Sequence, residues 1–276
     1  MSRSRRSRIV LGMNAIPCPS PRSFGPLAGR TGLVMGLADA HSIAWGCARV
    51  LRERGARLVL SCVNEKARAA VQSLADELEA PLRVCNVEQD GAVQALVSEA
   101  GELLDGLDFA VHSIAWAPLE DLHGRVADSS AEGFARAMRV SCHSFAELAR
   151  CAEAQFRDGG TLITMSYLGA EDAVPRYGLM GPVKAALESL VRYLALELGP
   201  QRIRVHAVSP GPLPTRAASG LQGFEGLMEQ ARRQAPLRRL ATLDEVGGCV
   251  AFLVGSDATG MTGQTLYVDA GVHAVR

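Results

Sequence analysis

The sequence has 276 residues, 48% hydrophobic and 21% charged, which is the balance of one large globular domain with no composition shift to divide it. Lys plus Arg and Asp plus Glu are 29 each, so no overall basic field gathers nucleic acid; neither a nucleic acid nor a membrane is an expected partner. The seven cysteines, at 18, 47, 62, 85, 142, 151 and 249, form no CxxC pair and have no histidine at ligand spacing, so they read as free thiols in a reducing cytoplasm, with no metal site.

At the start, Arg3, Arg5, Arg6 and Arg8 precede an apolar run of three residues that Asn14, Pro17, Pro19 and Pro21 soon interrupt. A secretory segment needs about seven or more apolar residues. Residues 1–28 therefore read as a flexible extension, with Met13 as an alternative start, and 29–276 as the folded domain. Thr31 opens a compact apolar run over 31–37, and helical spacing through Ile43, Cys47, Val50 and Leu51 predicts a helix over 43–54. Further strands are expected at 57–62, 82–87, 109–114, 160–167, 204–209 and 264–268, with helices at 65–78, 92–104, 131–156 and 175–198 between them. Most of these strands are continuously apolar rather than alternating, which implies an α/β fold with a Rossmann-type, doubly wound parallel sheet in a single domain. Such sheets bind ligands beyond the carboxyl ends of their strands.

After the first strand the chain reads Gly36-Leu37-Ala38-Asp39-Ala40-His41-Ser42-Ile43-Ala44-Trp45-Gly46. This is not GxGxxG. It does supply a glycine for a tight turn, a helix N-terminus whose amides and dipole suit a pyrophosphate, and a hydroxyl at Ser42. Gly46 would let the helix pack closely on the strand. The plainer alternative is a strand-to-helix turn with Ser42 as N-cap.

The spacing Gly-x5-Ser-Ile-Ala-x-Gly resembles the turn of the divergent short-chain reductases that act on enoyl thioesters, the enoyl-acyl-carrier-protein reductases. The resemblance continues at His112-Ser113-Ile114-Ala115-Trp116-Ala117-Pro118, at Tyr167-Leu168-Gly169-Ala170-Glu171 and at Ala217-Ala218-Ser219-Gly220, and covers about 28–275. It also takes in Tyr177 and Lys184. Seven residues apart on the predicted helix at 175–198, the two would share one face, although Pro182 is awkward inside a helix. Ordinary short-chain dehydrogenases have Tyr-x3-Lys, but Gly181 stands four after Tyr177, and Tyr-x6-Lys belongs to the enoyl reductase branch.

What the resemblance implies is NADH-dependent reduction, with NADPH as the alternative, of the C2–C3 double bond of trans-2-enoyl thioesters in fatty acid synthesis. Tyr177 would stabilise the enolate at the thioester oxygen. Lys184 would hold the cofactor ribose and favour the ionised phenol, and Tyr167 would line the acyl pocket; a core tyrosine is its plainer reading. Gly36, Ser42, Ile43, Val63, Asn86, Val87, Ser113, Ile114, Leu213 and Thr215 are expected at the cofactor, and Ala117 and Ala217 at the substrate. Asn86 stands where the family has Asp. No arginine follows the second strand before Arg68, which favours NADH over a cofactor carrying a 2′-phosphate.

The stretch near 216–230 resembles a substrate lid. Gln222, Glu225 and Gly226 replace the basic residues that receive an acidic carrier protein in the family, which leaves acyl carrier protein and coenzyme A as alternative carriers of the thioester. The resemblance further implies a homotetramer packed through the long helices. A carbonyl reductase or alcohol dehydrogenase is the alternative enzyme, and a non-catalytic cofactor-binding protein the alternative of another class.

Overall fold

A computed structural model describes residues 25–215, 220 and 223–275. The proposed extension at 1–28 therefore lies almost wholly outside the described residues, as does Ala217. Seven strands, β1 (Thr31–Met35), β2 (Arg57–Cys62), β3 (Leu82–Val84), β4 (Leu107–His112), β5 (Phe156–Met165), β6 (Ile203–Pro210) and β7 (Gln264–Val268), form one sheet in the order β3-β2-β1-β4-β5-β6-β7. Every pairing is parallel. Side chains alternate across it: Leu33 and Met35 enter one core layer and Val34 the other. Helices α3 (Ala92–Leu104), α6 (Ser144–Glu153) and α7 (Met180–Leu198) cover the first layer, while α1 (Ile43–Glu53), α2 (Glu65–Glu77) and a late helix, Leu243–Val254, cover the second. This is the doubly wound Rossmann-type sheet that the apolar runs imply.

Several elements depart from the expectations. The long helix at 131–156 is instead α5 (Ala131–Met138), a π-helical segment at Arg139–His143, and α6. Ser144 Oγ, at the start of α6, donates back into that segment to the Val140 carbonyl at 2.6 Å, and such insertions gather at functional sites. A short helix, α4 (Leu119–His123), precedes α5. Two later helices, α8 (Phe224–Gln234) and α9 (Leu243–Val254), were not anticipated, although Thr242 and Glu245 spell a capping box that the structure forms. Gly46 does not bring α1 onto the strand. A Cβ there would stand 2.7 Å from Leu243 Cβ, so its close approach is to the start of α9.

His206, fully buried on β6, gives the fold a pH limb. Burial, with Arg204 alongside, lowers its pKa from 6.5 to about 4. The unfolded chain therefore takes up the proton first, so this contribution to stability is complete above about pH 6.5 and is lost progressively as pH falls toward 4. Urea titrations across that range should show a falling midpoint in the wild type and a shallower fall in His206→Asn; equal slopes would remove His206 from the account.

Candidate active site

Because all seven strands are parallel, the segments that follow them lie on one edge of the sheet, and most of the expected site residues occur there. Gly36, just after β1, has φ +99°, and a Cβ on it would come within 2.2 Å of the Ser113 carbonyl oxygen. The turn can thus be built only with glycine, and it brings the segments after β1 and β4 into contact. Ser113 N–H donates to the Met35 carbonyl at 3.1 Å. Ser42 is the N-cap of α1: its Oγ accepts from Trp45 N–H and donates to the Asp39 carbonyl. The positive end of α1, with Ile43 in its first turn, thus follows the Gly36 turn within the same loop.

After β2, Val63 is half exposed and Asn64 caps α2. Arg68, the first arginine along, pairs with Glu65 at 3.6 Å. After β3, the Asn86 carboxamide oxygen accepts from Glu88 N–H at 3.1 Å, with Val87 buried beside it. After β4, Ser113 and Ile114 are partly buried and Ala117 is buried. After β6, Leu213 and Thr215 are both buried.

Tyr167 follows β5, and its ring lies 4.7 Å from that of Tyr177, centroid to centroid, tilted by 54°. Tyr177 is not on the helix, as the spacing suggests. It occupies the turn before α7, between Arg176 (φ +66°) and Gly178 (φ +54°), and is 9% exposed. Pro182 explains the later start: it stands in the first turn of α7, where no intrahelical N–H bond is lost. Lys184, 3% exposed, donates from Nζ to the Met165 carbonyl at 2.7 Å, which ties it to the end of β5. Burial lowers its pKa to about 8, opposed by Cys142 and Glu188.

Burial, with Tyr167 and Glu188 alongside, pushes the Tyr177 pKa up, so the phenol remains a proton donor. Tyr167 is likewise pushed up to about 12 by burial, with Asp269 contributing. Glu188, one turn beyond Lys184, accepts a hydrogen bond from Ser166, and its pKa is raised by burial. Nothing in the sequence singles out Glu188, whose spacing is that of any helical core position.

A cleft of about 310 Å³ runs between the Tyr177 turn, including Pro175 and Arg176, and the α8 side, including Phe224 and Leu227. The described part of the proposed lid thus faces Tyr177 across open space.

The sheet order and the shared edge define a Rossmann-type protein. A family model described as enoyl-(acyl carrier protein) reductase matches residues 36–273. The chain is 40% identical over 255 residues, 92% of its length and 94% of the relative's, to enoyl-acyl-carrier-protein reductase (NADH) 1 of Rhizobium meliloti. It is 39% identical over 253 residues, 91% of its length and 99% of the relative's, to the NADPH-type reductase of Staphylococcus aureus. A solved structure of the Anaplasma phagocytophilum enoyl-acyl-carrier-protein reductase in complex with NAD superposes with a TM-score of 0.88 at 39% identity, covering 93% of this chain and 98% of that one. The chain belongs to the enoyl-acyl-carrier-protein reductase family.

Proposed function

We propose that this protein reduces the C2–C3 double bond of trans-2-enoyl thioesters with NADH, NADPH being the poorer donor. The carrying observation is the buried Tyr177 phenol, held protonated beside Tyr167 on the cleft that α8 faces. The site's residues suit a dinucleotide: the Gly36 turn has no room for a side chain, the N-terminus of α1 follows it within the same loop, and Lys184 is a buried cation with one carbonyl partner. Gly36, Ser42, Ile43, Ser113 and Ile114 would hold the pyrophosphate and adenosine ribose, Asn86 and Val87 the adenine, Lys184 the nicotinamide ribose, and Leu213 and Thr215 the carboxamide end. Bound there, the nicotinamide supplies a hydride to the β-carbon.

The chain's own part is electrostatic. As charge moves onto the thioester oxygen, Tyr177 donates a hydrogen bond to it from the wall of the cleft, and Tyr167 lines the acyl side. No arginine stands between β2 and Arg68, which supports NADH over a 2′-phosphate. Ala217 belongs to the proposed acyl pocket through the family resemblance alone.

Loss of a donor to a developing oxyanion costs about a hundredfold or more in turnover. Tyr177→Phe is therefore expected to lose about that much kcat with crotonyl and longer enoyl thioesters while still binding NADH. Full turnover in the variant, or wild-type oxidation of NADH with ketones but not enoyl thioesters, would overturn the reading.

The finer points are proposals too. Acyl carrier protein is the proposed carrier in fatty acid synthesis, with coenzyme A as the alternative, since Glu225 stands in the first turn of α8. A cytoplasmic homotetramer is proposed, supported by Tyr193 and Leu196, which are 64% and 75% exposed on α7.

A further inference from the structure

The segments after β3 and β4 are joined by side chains that the proposed reaction does not use. The Arg136 guanidinium, in the last turn of α5, lies 4.2 Å from the centroid of the Trp116 ring. The same group donates to both carboxylate oxygens of Glu88, at 2.5 and 2.9 Å. Arg139 donates to the Glu88 carbonyl at 2.8 Å and to the Asp90 carboxylate at 2.7 Å. On the other side, Ser141 Oγ accepts from Trp116 N–H and donates to the Trp116 carbonyl, both at 2.8 Å. The π-helical segment carries Ser141, so the backbone of Trp116 is fixed by that segment and its ring by α5.

Glu88 lies two residues after Asn86, on the adenine side of the proposed site, and Trp116 immediately precedes Ala117, on the acyl side. Trp116 is 38% exposed, so without the guanidinium over its face nothing described holds the ring flat. The planar fork of arginine can grip a carboxylate through two parallel bonds and still offer its face to an indole, which lysine cannot do fully.

We propose that Arg136 is a positioning residue that couples the cofactor and thioester sites by holding Glu88 and Trp116 in one clamp. This rests on the enoyl reductase reading above. Occupation of the adenine side steadies Glu88, Glu88 steadies Arg136, and Arg136 steadies the ring next to Ala117; by linkage, a thioester at Ala117 tightens the cofactor by the same factor. A cation held on an exposed indole sets that factor at about two- to fivefold.

The chain has two tryptophans, and Trp45→Phe leaves Trp116 as the sole emitter. In that background, NAD+ alone is expected to change Trp116 emission, and Arg136→Ala to abolish the change. With NAD+, which carries no hydride to give, crotonyl thioester should tighten NAD+ binding about two- to fivefold in the parent. It should have no effect in Arg136→Ala and a partial effect in Arg136→Lys. If Arg136→Ala does not fold, Glu88→Gln serves the same purpose. Equal coupling in parent and variant, or none in the parent, overturns the clamp. Turnover of the parent with NADH and crotonyl thioester, measured alongside, decides the enzymatic reading separately, because the emission change with NAD+ alone needs no thioester.

Discussion

Lys184→Met is expected to raise the KM for NADH about ten- to a hundredfold, with a smaller effect on kcat. A hydrogen bond from a charged donor contributes about 1.5–3 kcal/mol, which is that factor in affinity. Lys184 is a buried cation on α7 whose Nζ, among the described residues, is satisfied by the Met165 carbonyl alone, leaving protons for ribose hydroxyls. The pH dependence separates this role from packing. With its pKa lowered to about 8 by burial, Lys184 is mostly charged below that pH and loses its proton above it. The wild-type KM for NADH should therefore hold steady below about pH 8 and climb beyond, while the methionine variant, already uncharged, shows no climb. A flat wild-type profile across that range would sink the assignment.

The second large effect is expected from Gly36→Ala. The left-handed backbone costs an L-residue about 1–2 kcal/mol. The methyl group would also overlap the Ser113 carbonyl, which is backbone and cannot swing aside, adding about 1–3 kcal/mol of overpacking. The urea midpoint should fall and NADH binding should weaken together, because the same turn is the proposed pyrophosphate site. Gly248→Ala in α9 is the control: the nearest atom to its added methyl is an Arg54 nitrogen at 3.7 Å, and alanine is the better helix former by about 1 kcal/mol. If Gly36→Ala were no worse than this control, the tight turn would not be the constraint described.

Much of the fold was legible because buried parallel strands declare themselves as unbroken apolar runs, as in Leu58–Leu60 and Leu162–Ile163. The short edge strand β3 pairs only with β2 and ends at Val84, short of the strand expected over 82–87, although Cys85 N–H still reaches the Cys62 carbonyl. The π-helical segment was not legible, since one extra residue per turn hardly disturbs a 3.6-residue pattern over so short a span. Helical spacing puts Tyr177 on the helix because positions seven apart satisfy it whether or not the first is helical. Pro182 was the signal to the contrary. The family motifs singled out the residues along the sheet edge, but the Glu88–Arg136–Trp116 cluster depends on contacts across 48 and 20 positions, which no local pattern announces.

The strand order also has a kinetic consequence. Each β1 neighbour comes later in the chain, β2 on one side and β4 on the other, and β4 begins more than seventy residues after β1. No hairpin is available to start the sheet, so the loop-closure entropy must be met before the central pairing forms. During synthesis, the apolar β1 and β2 emerge well before the strand that completes their central edge. Refolding should therefore be slow for the size of the domain, and fragments ending before β4 should aggregate, because their central strand still offers a bare row of amides and carbonyls to any other chain.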